Sequence, residues 1–210
     1  MKLELYAHGK INLGLDVIGE RPDGYHEVKM IMQTVEVCDR LEFEDIDEDE
    51  IQLKSDAAFL PLDGDNLICK ACRLMKDEYD IKKGVRISLE KHIPVAAGMA
   101  GGSADAAAAL VAMNEIFALG LSRDRLMELG VKLGADVPYC IMKGTALSEG
   151  IGEKLTELAP MPDCYILIAK PGISVSTKEA YGGLVLDEHT LHPDIDGMVE
   201  AIKAGDLKGV

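Results

Sequence analysis

Tryptophan is absent from the 210 residues, and the remaining large aromatics are six tyrosines and three phenylalanines. With so few rings, any that fall in exposed segments stand out. Basic residues are also scarce: 22 Lys and Arg face 37 Asp and Glu, a formal net charge of −15. That balance argues against a nucleic-acid partner, because binding a phosphate backbone needs a basic surface. No apolar run approaches the roughly 18 residues that a membrane span requires, so no membrane association is expected. Glu4 stands where a secretion signal would need its apolar region, and a cytoplasmic location is expected. The five cysteines, at 38, 69, 72, 140 and 164, are odd in number and scattered, which excludes a simple disulfide framework.

Two local features invite functional readings and have plainer ones. Glu44 to Glu50 is nearly a pure acid block and reads as a solvated hairpin tip rather than a metal site. Cys69-Lys70-Ala71-Cys72 has the spacing of a redox or zinc motif but no second pair. Ile68, Cys72, Met75 and Tyr79 share one helical face, so these cysteines read as packing residues.

The hydrophobic share of 48% and the length suit a soluble α+β protein with a sizeable core. Leu3 to Ala7, Ile11 to Ile18, Val28 to Val37 and Leu41 to Glu44 read as strands, punctuated by Arg21-Pro22-Asp23-Gly24. Asn66 is placed to cap an amphipathic helix running to Tyr79. Val85, Ile87 and Leu89 alternate with polar residues as in a half-buried strand. A small-residue helix is predicted from Ser103 to Leu119 and another after Ser122. Strands are expected again after Asp136, notably Tyr165 to Ala169, with a final helix from Asp194.

The most informative stretch is Pro94-Val95-Ala96-Ala97-Gly98-Met99-Ala100-Gly101-Gly102-Ser103-Ala104. A strand enters a loop with three glycines, and the loop opens an alanine-rich helix. Glycines permit positive φ and close backbone approach to a ligand. The helix presents unpaired N–H groups and its positive dipole end, an arrangement suited to phosphate. No Gly-Lys-Ser/Thr closes the loop, so it is not a Walker A motif, and its spacing is not that of a dinucleotide GxGxxG. Ser103 lacks the following glycine of a nucleophile elbow. A purely structural turn explains the bend but not the glycines, the serine and the small-residue helix together.

This loop resembles that of the GHMP kinases, named for galactose, homoserine, mevalonate and phosphomevalonate, whose pattern is Pro-x-x-x-Gly-Leu-Gly-Gly/Ser-Ser-Ser/Ala. Met99 and Ala100 replace the Leu and the second Gly. Ala7-His8-Gly9-Lys10-Ile11-Asn12-Leu13, Arg21-Pro22-Asp23-Gly24-Tyr25-His26, Gly134-Ala135-Asp136-Val137-Pro138 and Gly150-Ile151-Gly152-Glu153 are similar to segments of one branch, which phosphorylates 4-diphosphocytidyl-2-C-methyl-D-erythritol. The resemblance implies a two-domain fold: an N-terminal ATP-binding domain over 1–150, of ribosomal-protein-S5-like type, and a truncated C-terminal α+β domain over 151–210. The truncation is expected because no Ser-Gly-Ser-Gly-Pro-like motif occurs.

By the same resemblance Asp136 is the catalytic base, and Lys10 favours its ionised form and offsets charge on the transferred group. Read alone, Asp136 favours a helix-terminating turn aspartate and Lys10 a solvated charge. The resemblance assigns residues 94–104 to the ATP phosphates and Asn66 and Lys91 to the adenine side. Tyr25, His26 and Tyr181 fall to the cytosine, and Asn12 and Thr177 to the same substrate; hairpin packing is the plain role of Tyr25 and His26. Mg2+ follows from ATP chemistry, with Ser103 as a contributor. The expected partner is therefore a cytidine-diphosphate-linked polyol, with a homodimer as one outcome of uncovered apolar faces. Two other readings stay open: another kinase of the superfamily, for homoserine or mevalonate, and an inactive nucleotide-binding fragment.

Overall fold

Two long strands open the chain, β1 (Lys2–Glu20) and β2 (His26–Ile46), paired across the turn at 21–25. The computed structural model describes residues 1–58, 60–172 and 177–210. The four shorter strands expected here are two continuous ones. Lys10 and Asp39, which lie between the expected runs, are buried within the ladders, 6% and 0% exposed, and each has a side-chain partner. The remaining elements are β3 (Ile51–Ser55), α1 (Leu67–Tyr79), β4 (Gly84–Glu90), α2 (Gly101–Ile116) and α3 (Arg123–Val131). They are followed by α4 (Val137–Met142), β5 (Thr145–Gly150), β6 (Lys154–Glu157), α5 (Thr177–Gly182) and α6 (Ile195–Ala204).

Two compact units are assembled from separated segments. The first comprises Met1–Gly9, Glu36–Val95 and Ala100–Met142; the second comprises Lys10–Val35, Ala96–Met99 and Lys143–Val210.

In the first unit β4 runs antiparallel to residues 40–46 of β2 and parallel to β3, and so lies between them. The acid block is therefore not a hairpin tip. It ends β2 and carries the chain across the start of β4 to reach β3. Gly84 makes that crossing possible: a Cβ there would lie 2.2 Å from the carbonyl oxygens of Glu48 and Glu50. The N–H of Val85 donates to the Glu50 carbonyl at 2.9 Å. Along β4, Val85, Ile87 and Leu89 are buried and Arg86, Ser88 and Glu90 exposed, the alternation of a one-sided strand.

Asn66 caps α1 by accepting the Ile68 N–H at 2.9 Å. Cys69 and Cys72 are buried on that helix, and burial pushes both thiols up, which leaves them inert packing groups. Helix α2 is apolar nearly all round, with Ala104 to Leu110 buried without interruption, as a helix enclosed by its neighbours must be. It packs on α1, α3 and α4. Residues 137–142 were expected as strand; the Gly134 carbonyl accepts the Val137 N–H and the Asp136 carbonyl that of Cys140, and these bonds start a helix instead.

The second unit packs α6 on the strands. Ile195, Val199 and Ile202 meet Ile31, with Leu13, Leu147 and Leu158 at the margin. Residues 28–33 of β2 pair with β5, and β5 with β6. Gly14 permits the close approach, since a Cβ there would sit 2.8 Å from Ile195 Cδ1. Asp194 accepts the Gly197 N–H and Gly205, at φ 70°, ends the helix. The strand expected at Tyr165 to Ala169 does not form: the segment has no regular structure, and Tyr165 and Leu167 are exposed. A branched-residue run becomes a strand only with a partner to hydrogen-bond, and none pairs with it among the described residues.

Gly84→Ala is expected to lower unfolding stability by about 3 kcal/mol, because the new methyl group meets fixed backbone rather than a movable side chain. Urea unfolding measures it; an unchanged midpoint would show that the crossover can shift.

Candidate active site

The glycine loop is built from an alternation of left-handed residues. Ala96, Gly98 and Ala100 have φ of 53°, 71° and 55°. Two alanines thus occupy a region that an L residue enters at a cost of roughly 1 kcal/mol or more. Ala100 is also the N-cap of α2, with no side chain to cap it, and its carbonyl accepts the Ala104 N–H at 2.8 Å. The first-turn N–H groups of Gly101, Gly102 and Ser103 have no intrahelical acceptor.

The glycines have distinct duties. Gly98 faces open space, with nothing within 4 Å of where a Cβ would be. Gly101 is hemmed in: a Cβ there would lie 3.0 Å from both Lys91 Nζ and Ile93 Cγ2. Gly102 lies over Leu67, the first residue of α1, so the Asn66 cap and the start of α2 are neighbours. Asn66 uses both ends of its amide, since its Nδ2 donates to the Pro61 carbonyl at 2.8 Å. A cavity of about 320 Å³ is lined by Asp56, Lys91, His92, Ile93, Pro94 and Val95. Lys91, Pro94 and Val95, all assigned to nucleotide in the sequence, thus border one space.

On its other side the same unit presents Ser103 and Asp136. Ser103 Oγ lies 4.0 Å from the point where a Gly134 Cβ would stand, which brings α2 to the Gly-Ala-Asp corner. Asp136 is half-buried immediately before α4, so its backbone is held by the helix it introduces.

In the second unit Lys10 is buried. Its N–H donates to the Met99 carbonyl at 3.0 Å and its Nζ to Asn12 Oδ1 at 3.2 Å. Met99, 4% exposed, is the loop residue whose side chain is buried, alongside the exposed Ala96. Ala97 lies between them, half-buried.

The 21–25 turn is locked by its own residues. Asp23 accepts the Tyr25 N–H at 3.1 Å, and that bond and the Arg21 guanidinium hold its carboxyl below the usual range. Tyr25 is exposed, and the His26 ring lies 5.1 Å from that of Tyr181, tilted at 44°. A cavity of about 560 Å³ is lined by Ile18, Glu20, His26, Leu184, Asp187 and His192 among others. Thr177 opens α5, but its side chain lies outside the described residues, as do residues 174–176.

Lys91 brings out two residues that the motif reading passed over. Its ammonium, 6% exposed, is held between the carboxylates of Asp39 and Asp105, the latter at 2.7 Å. Both Asp39 Oδ1 bonds go to backbone: the N–H groups of His92 at 2.6 Å and Ile93 at 2.8 Å. Burial pushes Asp105 up to about 7, against the pull of Lys91. An aspartate inside Ala104-Asp105-Ala106-Ala107-Ala108 was the available signal, since a carboxyl in an otherwise apolar helix needs a buried partner.

Ala100→Gly is expected to raise unfolding stability by about 0.5–1 kcal/mol by relieving the left-handed alanine. Ala100→Val should lower it by about 1 kcal/mol or more. Chemical denaturation of the pair checks the sign; equal stabilities would show that the loop carries no strain.

Residues 66–144 match the family described as GHMP kinases N terminal domain. A 4-diphosphocytidyl-2-C-methyl-D-erythritol kinase of Lachnoclostridium phytofermentans is 58% identical over 205 residues, covering 98% of this chain and 70% of that protein. One from Bacillus cytotoxicus is 51% identical over 210 residues, covering 100% and 72%. A crystal structure of 4-(cytidine 5'-diphospho)-2C-methyl-D-erythritol kinase superposes with a TM-score of 0.78 at 31% identity, covering 97% of this chain and 72% of that one. A homoserine kinase from Cytophaga hutchinsonii, 17% identical with a TM-score of 0.72, shares the fold. With a left-handed glycine loop opening a buried small-residue helix, and identity of this order over nearly its whole length, the chain belongs to the 4-diphosphocytidyl-2-C-methyl-D-erythritol kinase family of GHMP kinases.

Proposed function

We propose that the protein transfers the γ-phosphoryl group of ATP to the 2-hydroxyl of 4-diphosphocytidyl-2-C-methyl-D-erythritol, a step of the non-mevalonate route to isoprenoid precursors. The observation that carries the reading is 58% identity, over 98% of the chain, to an enzyme named for that substrate. The loop geometry supports it independently, because a helix N-terminus behind an open Gly98 suits a polyphosphate.

Phosphoryl transfer asks the protein mainly for positioning and charge neutralisation. The N–H groups at the start of α2 take the phosphates, and the cavity beside Lys91, Pro94 and Val95 takes the nucleoside. Asp136 accepts the proton of the 2-hydroxyl as its oxygen bonds to the γ-phosphorus. The bond to ADP breaks, and ADP leaves with the electron pair. Lys10, held by Asn12 and the Met99 carbonyl, offsets charge on the transferred group.

Tyr25, His26 and Tyr181 take the cytosine, with stacking worth about 1–3 kcal/mol per ring. Asn12 and Thr177 hold the remainder. Among the described residues no group of three or more His, Cys, Asp or Glu forms a metal cage. Ser103 Oγ is the side chain that would help hold a Mg2+ ion, which would offset charge on the ATP phosphates. Both substrates are charged and membrane-impermeant, so the reaction belongs in the cytoplasm.

Purified protein offered ATP with 4-diphosphocytidyl-methylerythritol, homoserine or mevalonate should turn over only the first. Asp136→Asn should cut kcat by about 1,000-fold with little change in KM. Turnover of homoserine or mevalonate instead overturns the substrate, and full activity of the Asn variant overturns the base.

A further inference from the structure

The chain between α5 and α6 stands off the hairpin instead of packing on it. The cavity of about 560 Å³ separates the two. One wall holds Ile18 and Glu20 at the end of β1 and His26 at the start of β2; the other holds Leu184, Asp187 and His192. The side chains of Leu184, Val185 and Leu191 are exposed, so no apolar seat fixes where this segment lies.

Polar bonds hold it instead. Where it leaves α5, the Leu184 N–H donates to the Tyr181 carbonyl at 3.1 Å, and the Tyr181 ring stands 5.1 Å from that of His26. In its middle, the Asp187 N–H donates to Thr190 Oγ1 at 2.9 Å and the Thr190 N–H to the Asp187 carbonyl at 3.1 Å, which makes 187–190 one stiff turn. At its far end, His192 Nδ1 lies 2.7 Å from Asp16 Oδ1. An ionised carboxylate only accepts, so the imidazole N–H is the donor.

Asp16 belongs to β1, two residues beyond Gly14, and shares the face of the strand on which Gly14 admits Ile195 and Met198 of α6. Its side chain is 15% exposed and that of His192 48%, so the bond sits at the rim of the packed face. Helix α6 has no need of it. That helix is capped by Asp194, tied by Lys29 to Asp196 at 2.7 Å, and buried through Ile195, Val199 and Ile202. What the bond can fix is the segment ahead of α6, which leads back to Tyr181. A rim pair of this kind adds little to global stability, so a local duty is its natural one.

We propose that Asp16 and His192 are positioning residues for the cytidine substrate: their hydrogen bond fixes the segment 183–192 beside the hairpin and thereby sets Tyr181 against His26. The proposal rests on the cytosine reading of His26 and Tyr181. Neither Asp16 nor His192 touches the base. Asp16 stands on the same strand as Lys10 and Asn12, so one strand carries both the groups that face the reaction and the tether that places the ring.

The test combines steady-state kinetics with calorimetric binding of 4-diphosphocytidyl-methylerythritol in the absence of ATP. Asp16→Ala and His192→Ala should each raise KM for that substrate by about tenfold, the worth of one hydrogen bond to a charged group. Binding should weaken in parallel, while kcat and KM for ATP stay within about twofold of wild type. Asp16→Asn keeps an acceptor and should restore most of the loss. Tyr181→Ala should weaken binding as well, and adding Asp16→Ala to it should cost nothing further, because Asp16 acts through that ring. Thermal melts report folding, and the half-exposed His192→Ala decides the matter if Asp16→Ala does not fold. Unchanged KM in both alanine variants, with Tyr181→Ala impaired, overturns the tether alone. So does a full further loss when Asp16→Ala is added to Tyr181→Ala. Undiminished binding in Tyr181→Ala itself overturns the cytosine reading.

Discussion

A single ammonium shared by two buried carboxylates is the interaction on which the first unit turns. Lys91 meets Asp39 from β2 and Asp105 from α2, so one cation joins the sheet to the central helix. Such clusters contribute little net stability, because desolvation offsets most of the attraction. What they supply is position, since an apolar contact slides where a charged hydrogen bond does not. Here the positioned elements are the two stems of the glycine loop, and Asp39 extends the hold to backbone at His92 and Ile93.

The loop between the stems concentrates the conformational cost. Ala96 and Ala100 lie in left-handed conformations that glycine would adopt more easily. Gly101 admits Lys91 and Ile93 at the start of α2. The helix that follows is made of alanine because it is enclosed by α1, α3 and α4. Small side chains let its N-terminus reach the loop without displacing those neighbours.

A protein of net charge −15 that handles two polyanions cannot rely on a basic surface. Its answer is local. The N–H groups and dipole end of α2 provide positive potential without lysines, and Lys10 is a buried cation placed by Asn12 and the Met99 carbonyl. The acid block serves the fold: it carries the chain over Gly84 so that β3 can pair with β4 from the far side. Exposed Tyr25 and the His26–Tyr181 pair put scarce aromatic surface in one unit.

Local chemistry was legible from residues alone. Asn66, Ser122 and Asp194 each cap the helix that their position announces, because a cap depends on three or four neighbouring residues. The 21–25 turn was equally readable, since Pro22, Asp23 and Gly24 set its backbone, whereas the left-handed Ala96 and Ala100 of the glycine loop do not follow from residue type. Long-range pairing was not. Whether Tyr165 to Ala169 becomes a strand depends on a partner, and whether Lys10 or Asp39 breaks a strand depends on what satisfies its charge inside it. Nor does the sequence near Lys91 reveal that its ammonium belongs to Asp39 and Asp105, 52 and 14 residues away. The sequence by itself determined the caps and the turns; only the tertiary structure decided which buried charges meet, because desolvation makes a charge's partner a property of the packed interior.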